Sequence, residues 1–214
     1  MNRRTMGSWR LGVALTSVAL ACDRTDPAPV ASRIAGIGPS FNMSASNQHM
    51  RWDIINVDFA TGTLSAGGVA SARANDGSKI TLTGSGLFRA NSGNPQDVTG
   101  GGTWETFSPS GASTGSGTYS VTGYVSFVLA PGTPPLPHDD IGNAADTRAG
   151  LLVVQIAYSD GSPGTLVVSC HLVGTSDAVF EGITASKGYW DYWNREAPPA
   201  PSGNANRTNF HVVD

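Results

Sequence analysis

Few residues in this chain of 214 have the types and spacing that chemistry needs. Cys170 and His171 stand side by side, the thiol and imidazole that cysteine nucleophiles use. Their segment alternates with period two, and strand neighbours point to opposite faces, so the two cannot form a dyad with each other. Cys170 shares its side with Leu166, Val168 and Leu172 and reads as a buried apolar residue. His171 falls with Thr165 and Ser169 on the more polar side. It is a surface histidine if that side meets water, and a general base or ligand-holding group if the side lines a lumen. Glu181, Asp191 and Glu196 crowd a set of aromatic residues, as carboxylates do in glycosidases, which need two of them at a defined separation. His171, Glu181 and Asp191 are therefore the candidate acids and bases.

Tyr189, Trp190, Tyr192 and Trp193 form the densest aromatic cluster and the candidate ligand-binding residues. In an extended segment one pair would be core and the other exposed, a stacking surface for sugars or an apolar ligand. A short helix capped by Ser186, with the rings plugging one end of the domain, is the structural alternative. Residues 130–149 make a long connection without strand pattern, with four prolines followed by His138, Asp139 and Asp140 and, further on, Asp146. The oxygens of Asp139, Asp140 and Asp146 could gather a hard cation, but their spacing fits no calcium loop of defined geometry, so no metal is expected. Gly111-Ala112-Ser113-Thr114-Gly115 matches the nucleophile-elbow pattern, whose basis is a strained strand-to-helix turn. A strand pattern follows instead, and the match carries no nucleophile.

The N-terminus reads as an export signal over 1–21. Arg3, Arg4 and Arg10 precede an apolar run, Leu11 to Ala21, too short to span a bilayer. Val18-Ala19-Leu20-Ala21-Cys22 resembles the lipobox of bacterial lipoproteins, with Ala19 where a larger aliphatic residue is usual. Cys22 is thus the candidate lipidation site, and ordinary cleavage with free secretion is the alternative. Residues 22–40, rich in proline and small residues, read as a flexible tether. The chain has 13 basic and 16 acidic residues. Removing the three leader arginines leaves ten against sixteen, or −6. An acidic domain without basic clusters argues against nucleic acid, and leaves a lipid anchor at Cys22 as the one link to a membrane.

What must position the candidate residues is a set of strands. Leu152, Val154, Ile156 and Tyr158 alternate into a turn at 159–164, and Leu166, Val168, Cys170 and Leu172 continue the same side: a hairpin. Tyr119, Val121, Val125, Phe127 and Leu129 share one face of a run too long to lie flat, and Gly123 in its middle permits a bend or bulge. Shorter alternations occur near Trp52, from Lys79 to Phe88, at 102–107, at 179–185 and at 208–213. About eight to ten strands at meander spacing, with 27 glycines supplying turns, predict an all-β domain over 41–214. A closed or nearly closed antiparallel barrel is favoured, with a sandwich as alternative.

Gly164-Thr-Leu-Val-Val-Ser-Cys-His171, Phe180-Glu-Gly-Ile-Thr-Ala-Ser-Lys-Gly188 and Asp191-Tyr-Trp-Asn194, with the strands at 102–107 and 117–119, resemble uncharacterised secreted or lipoprotein-like β-rich bacterial proteins. The texture of the strands is similar, more loosely, to calycin and allene-oxide-cyclase barrels. The sequence reading is an exported barrel that binds a small apolar or carbohydrate ligand without catalysis or cofactor. A barrel enzyme of cyclase, isomerase or hydrolase type and a surface or structural interaction protein are the alternatives. A packed lumen would favour the last, a polar cavity the enzyme, and a roomy apolar cavity the ligand binder.

Overall fold

A computed structural model of the chain describes residues 47–134, 138–199 and 204–213. The segments expected to be an export signal and a tether, and Cys22, lie outside the described residues. In chain order the strands are β1 (His49–Asp58), β2 (Thr63–Ala66), β3 (Ala70–Arg73), β4 (Lys79–Leu82), β5 (Ser85–Arg89), β6 (Gly101–Phe107) and β7 (Ser113–Ala130). After these come β8 (His138–Asp139), β9 (Thr147–Tyr158), β10 (Pro163–Cys170), β11 (Gly182–Lys187), β12 (Trp190–Tyr192), β13 (Asn194–Arg195) and β14 (Thr208–Val212). One 3-10 turn, Ala144–Asp146, interrupts them.

Six strands close on themselves in the order β9-β14-β1-β5-β6-β7 and back to β9, each pair antiparallel. The expected barrel is therefore present, with a ring of six strands and the remainder extending from it. One edge of β9 serves two partners in succession, β14 at Thr147 and Arg148 and then β10 from Gly150 to Ala157. One edge of β6 likewise takes β5 at Gly101 and β4 from Trp104 to Phe107. Beyond these branches β10 leads to β11 and β12, and β4 leads to β3 and β13. β12 and β13 are consecutive in the chain, so residues 190–195 cross from the β11 side to the β3 side.

The ring encloses side chains, as a small barrel must. Phe88, Phe127 and Phe210 pack with centroids 5.0 to 6.1 Å apart, and Trp104 meets Tyr158 edge-on at 5.7 Å. Trp52, fully buried, lies across glycines. A β-carbon on Gly84, Gly86 or Gly100 would fall within 3.2 Å of its indole. These glycines sit where β5 meets β6 through a single residue pair, Ser85 with Gly101. The tightest part of the wall is built without side chains so that the largest one can fill the space behind it.

Two expectations about individual strands are corrected. The run from Lys79 to Phe88 is two strands, because Gly84 at φ +152° breaks it between β4 and β5. In β7 the register against β9 skips Thr122 and again Val125. Each bulge flips the side-chain alternation, so Tyr124 turns inward and Val125 outward, the reverse of simple parity. The bend comes at Gly123, as its missing side chain allows.

A substitution at the glycines beneath Trp52 tests their role in closing the wall. Gly86→Ala drives a β-carbon into the backbone carbonyl of Thr99 as well as the Trp52 indole, whereas Gly93 has nothing within 4 Å. Gly86→Ala is expected to lower stability by about 3 kcal/mol or more, and Gly93→Ala to change it by less than about 0.5 kcal/mol, read from urea midpoints.

Candidate functional site

The four clustered aromatics sit on the β11–β12 hairpin. Lys187 pairs with Trp190, leaving a two-residue loop of Gly188, at φ +58°, and Tyr189. Tyr189 is 91% exposed at the tip, and its ring lies 5.9 Å from that of Trp190 at 31°. Tyr192 points inward and is buried, while Trp190 and Trp193 are about half exposed. The expected two-and-two division thus becomes one core ring and three at the surface. Trp193, at the crossing from β12 to β13, no longer follows strand parity.

Trp190 and Tyr192 form one wall of a cavity of about 370 Å³. The opposite wall is Phe107 and Pro109 at the β6–β7 turn, and the polar lining includes Asp76, Ser78 and Lys187. Asp76 accepts from the Ser78 backbone at 2.9 Å and hydroxyl at 2.6 Å, which pull its carboxyl below the ordinary value and keep it ionised. Lys187 is held in place: its ammonium lies 4.3 Å over the Trp104 ring and 5.0 Å from that of Tyr158, donates to Ser162 Oγ at 2.8 Å and pairs with Asp160. The Lys187 hydrogen bond, then Ser162, pull the Asp160 carboxyl down to about 2.

The three candidate acids and bases are divided between the two ends of β11. His171 and Glu181 line a second cavity, of about 330 Å³, together with Asp177, Phe180 and Arg195. Asp191 is exposed on β12, opposite Ser186 at the hairpin end, and Glu196 pairs with Arg73 at 2.5 Å. Five residues of extended chain, about 16 Å, separate Glu181 from that end, so the carboxylates do not converge on one glycosidic bond.

Glu181 owes its position to the branch in the sheet. Where β9 exchanges β10 for β14, the ends of those two strands leave backbone N–H groups without ladder partners. The Glu181 carboxylate accepts from His171 N at 2.5 Å through Oε2 and from Thr208 N at 2.7 Å through Oε1. Burial pushes this carboxyl up to about 8, against the pull of both N–H groups and of Arg207. The His171 ring makes a 2.8 Å hydrogen bond from Nδ1 to the Val179 carbonyl, which makes Nδ1 the donor and leaves Nε2 of the neutral ring to accept. Cys170 is fully buried, and desolvation, then Glu181, push its thiol well up, so no thiolate forms. Ser113 begins β7, exposed, with strand rather than helix after it.

The three candidate metal ligands are not brought together. Asp139 turns inward to His211 Nε2 at 2.7 Å, with both side chains 1% exposed, while Asp140 faces outward and Asp146 lies in the 3-10 turn. No group of three or more His, Cys, Asp or Glu side chains among the described residues could hold a metal ion. His211 and its surroundings are what sequence reasoning missed. Thr147 Oγ1 lies 3.2 Å from the same Nε2, and Asp53, fully buried, makes a two-point pair with Arg51 at 2.7 and 2.8 Å. Burial raises the Asp53 carboxyl, with Arg51 pulling it back. Asp139 and Thr147 meet one imidazole nitrogen while Nδ1 is buried without a partner, so no nucleophile–base–acid relay runs through the ring. The available signal was Arg51 and Asp53 at strand spacing two, which puts both on one face.

Comparison of the chain with protein-family models, with curated proteins and with solved structures finds no match.

The Glu181 brace has a pH signature. Its folded value, about 8, lies above the ordinary 4.5, so the folded state holds an extra proton between the two and stability falls as pH rises through that window. Glu181→Gln removes the titration and keeps one acceptor oxygen for the two N–H groups, at a cost that does not vary with pH. The stability difference between the native chain and Glu181→Gln is expected to move towards the variant by about 1 kcal/mol or more from pH 5 to pH 8, in urea melts at each pH. A difference that stays constant would refute the assignment.

Proposed function

We propose that this chain is an exported β-barrel domain that binds a carbohydrate on its outer surface, in the groove between the β6–β7 turn and the β11–β12 hairpin, without catalysis. The observation that carries the reading is the half-exposed Trp190 ring lining a cavity whose polar groups are hydroxyls, a carboxylate and an ammonium. A sugar presents the same two faces: C–H groups that stack on a flat ring and hydroxyls that need donors and acceptors. The volume lies in the range of small-ligand sites, about 300–1,000 Å³. Tyr189, beside Trp190, extends the platform beyond the groove, which suits a chain of sugars better than a single one.

The filled ring supports the outer surface over the lumen as the binding place. A packed lumen also suits the alternative of a surface or structural protein whose outer face meets another protein; binding on the outer aromatic cluster needs no open lumen and is kept for the exposed Trp190 ring. The basic start and apolar run ahead of Cys22, and the likeness to exported β-rich bacterial proteins, support a location outside the cytoplasm, with Cys22 as the lipid-bearing residue.

Affinity electrophoresis in gels containing soluble glucan, xylan or chitin fragments tests the reading. Retardation by at least one polysaccharide is expected, and Trp190→Ala is expected to weaken it about tenfold, the equivalent of about 1.4 kcal/mol. Tyr189→Ala should weaken it less. Equal mobility of the native chain in every gel would reject the proposal.

A further inference from the structure

The cavity at the other end of β11 is a separate chemical environment. Its polar groups come from four segments: His171 at the end of β10, Asp177 in the following loop, Glu181 ahead of β11 and Arg195 on β13. Arg195 is exposed, and its guanidinium stacks 5.6 Å over the Phe180 ring, an arrangement that holds the planar fork while leaving its N–H edges open. The donor and acceptor count is lopsided. One guanidinium offers donors, whereas Asp177, Glu181 and His171 Nε2 mainly accept. A complementary ligand therefore carries one compact anionic acceptor and several hydroxyl donors, and no more than one negative charge, because the Asp177 carboxylate shares the cavity.

We propose that this cavity is a second binding site, for a small polyhydroxylated carboxylate of the sugar-acid class, with Arg195 on the ligand carboxylate and His171 Nε2 accepting from a hydroxyl. A volume of about 330 Å³ accommodates one such ring. Phe180 supplies an apolar surface beside the fork. The Glu181 carboxyl is already braced by His171 N and Thr208 N, so it enters as a fixed group of the wall. The site lies about 20 Å along β11 from the Trp190 groove and does not depend on what that groove binds.

Titration of the isotope-labelled full chain at pH 6.5 with sodium D-glucuronate, followed by amide NMR, tests the proposal, with D-glucose and inorganic phosphate as comparison ligands. Saturable shifts are expected at His171, Phe180, Glu181 and Arg195, with a dissociation constant of about 1 mM. Glucose lacks the carboxylate and phosphate lacks the hydroxyl array, so both should bind at least about fivefold more weakly. Arg195→Ala, at an exposed position that leaves the core intact, should weaken glucuronate about tenfold or more. Raising the pH through about 8 should weaken it as well, because Glu181 ionises there. The charged and titratable groups around Glu181 are His171 and Cys170 from β10, Arg207 ahead of β14, Arg195 from β13 and Asp177 from the intervening loop. Absence of saturable shifts at these amides, undiminished binding by Arg195→Ala, or shifts confined to Trp190 and its neighbours would each overturn the proposal. The last result would leave the Trp190 groove as the glycan site.

Discussion

The contact between the Trp52 indole and the backbone of Gly84, Gly86 and Gly100 is the constraint on which the barrel depends. A six-stranded ring is narrow, and its wall closes where β5 meets β6 at Ser85 and Gly101 and the segment 97–99 that leads into β6. A side chain on either strand there would compete with the indole for the same space. Removing the side chains lets the wall approach, and filling the interior with one large aromatic recovers the apolar burial that the glycines forgo. The rest follows from this closure. Phe88, Phe127 and Phe210 pack beside Trp52 in the same core because the ring has brought β5, β7 and β14 within reach of one another.

The second organising feature is the way β6 and β9 each serve two partners along one edge. Such branching lets one sheet both close into a ring and extend beyond it, but it strands backbone donors where one partner ends and the next begins. Glu181 answers this between β10 and β14 with two carboxyl oxygens on two N–H groups. The cost is a carboxyl pushed up to about 8, the same direction in which burial moves Asp53 beneath the loop at 138–142. Buried carboxyl groups in this protein thus mark seams of the fold. The surface recognition we propose uses groups at the two ends of β11, where strands finish and side chains are free to face a ligand.

Much of the candidate chemistry was legible residue by residue and not as constellations. His171 and Glu181 were both singled out from sequence, and the fold places them in one cavity with Arg195, which had carried no signal. Asp191, chosen for the same reason as Glu181, lies on β12, beside the far end of β11. Asp139 was marked for its neighbours Asp140 and Asp146, yet its partner is His211, 72 residues away. The Tyr189–Trp193 cluster was visible as composition. Which of its rings is core depended on the hairpin turn at Gly188 and on the crossing to β13.

Period-two alternation, with glycine and proline at the breaks, was enough by itself to determine that the chain from residue 47 onward forms strands and hairpins. It also located the β9–β10 hairpin and the bend in β7, because these are properties of adjacent residues and their sterics. Pairing between distant strands decided the rest. The covering of the outer face of β1 by the loop at 138–142, the double partnership of β9, and the two bulges that reverse Tyr124 and Val125 all depend on register across the sheet. Register is set by which faces must be buried together and by closure of the ring, and no local window of sequence contains that information.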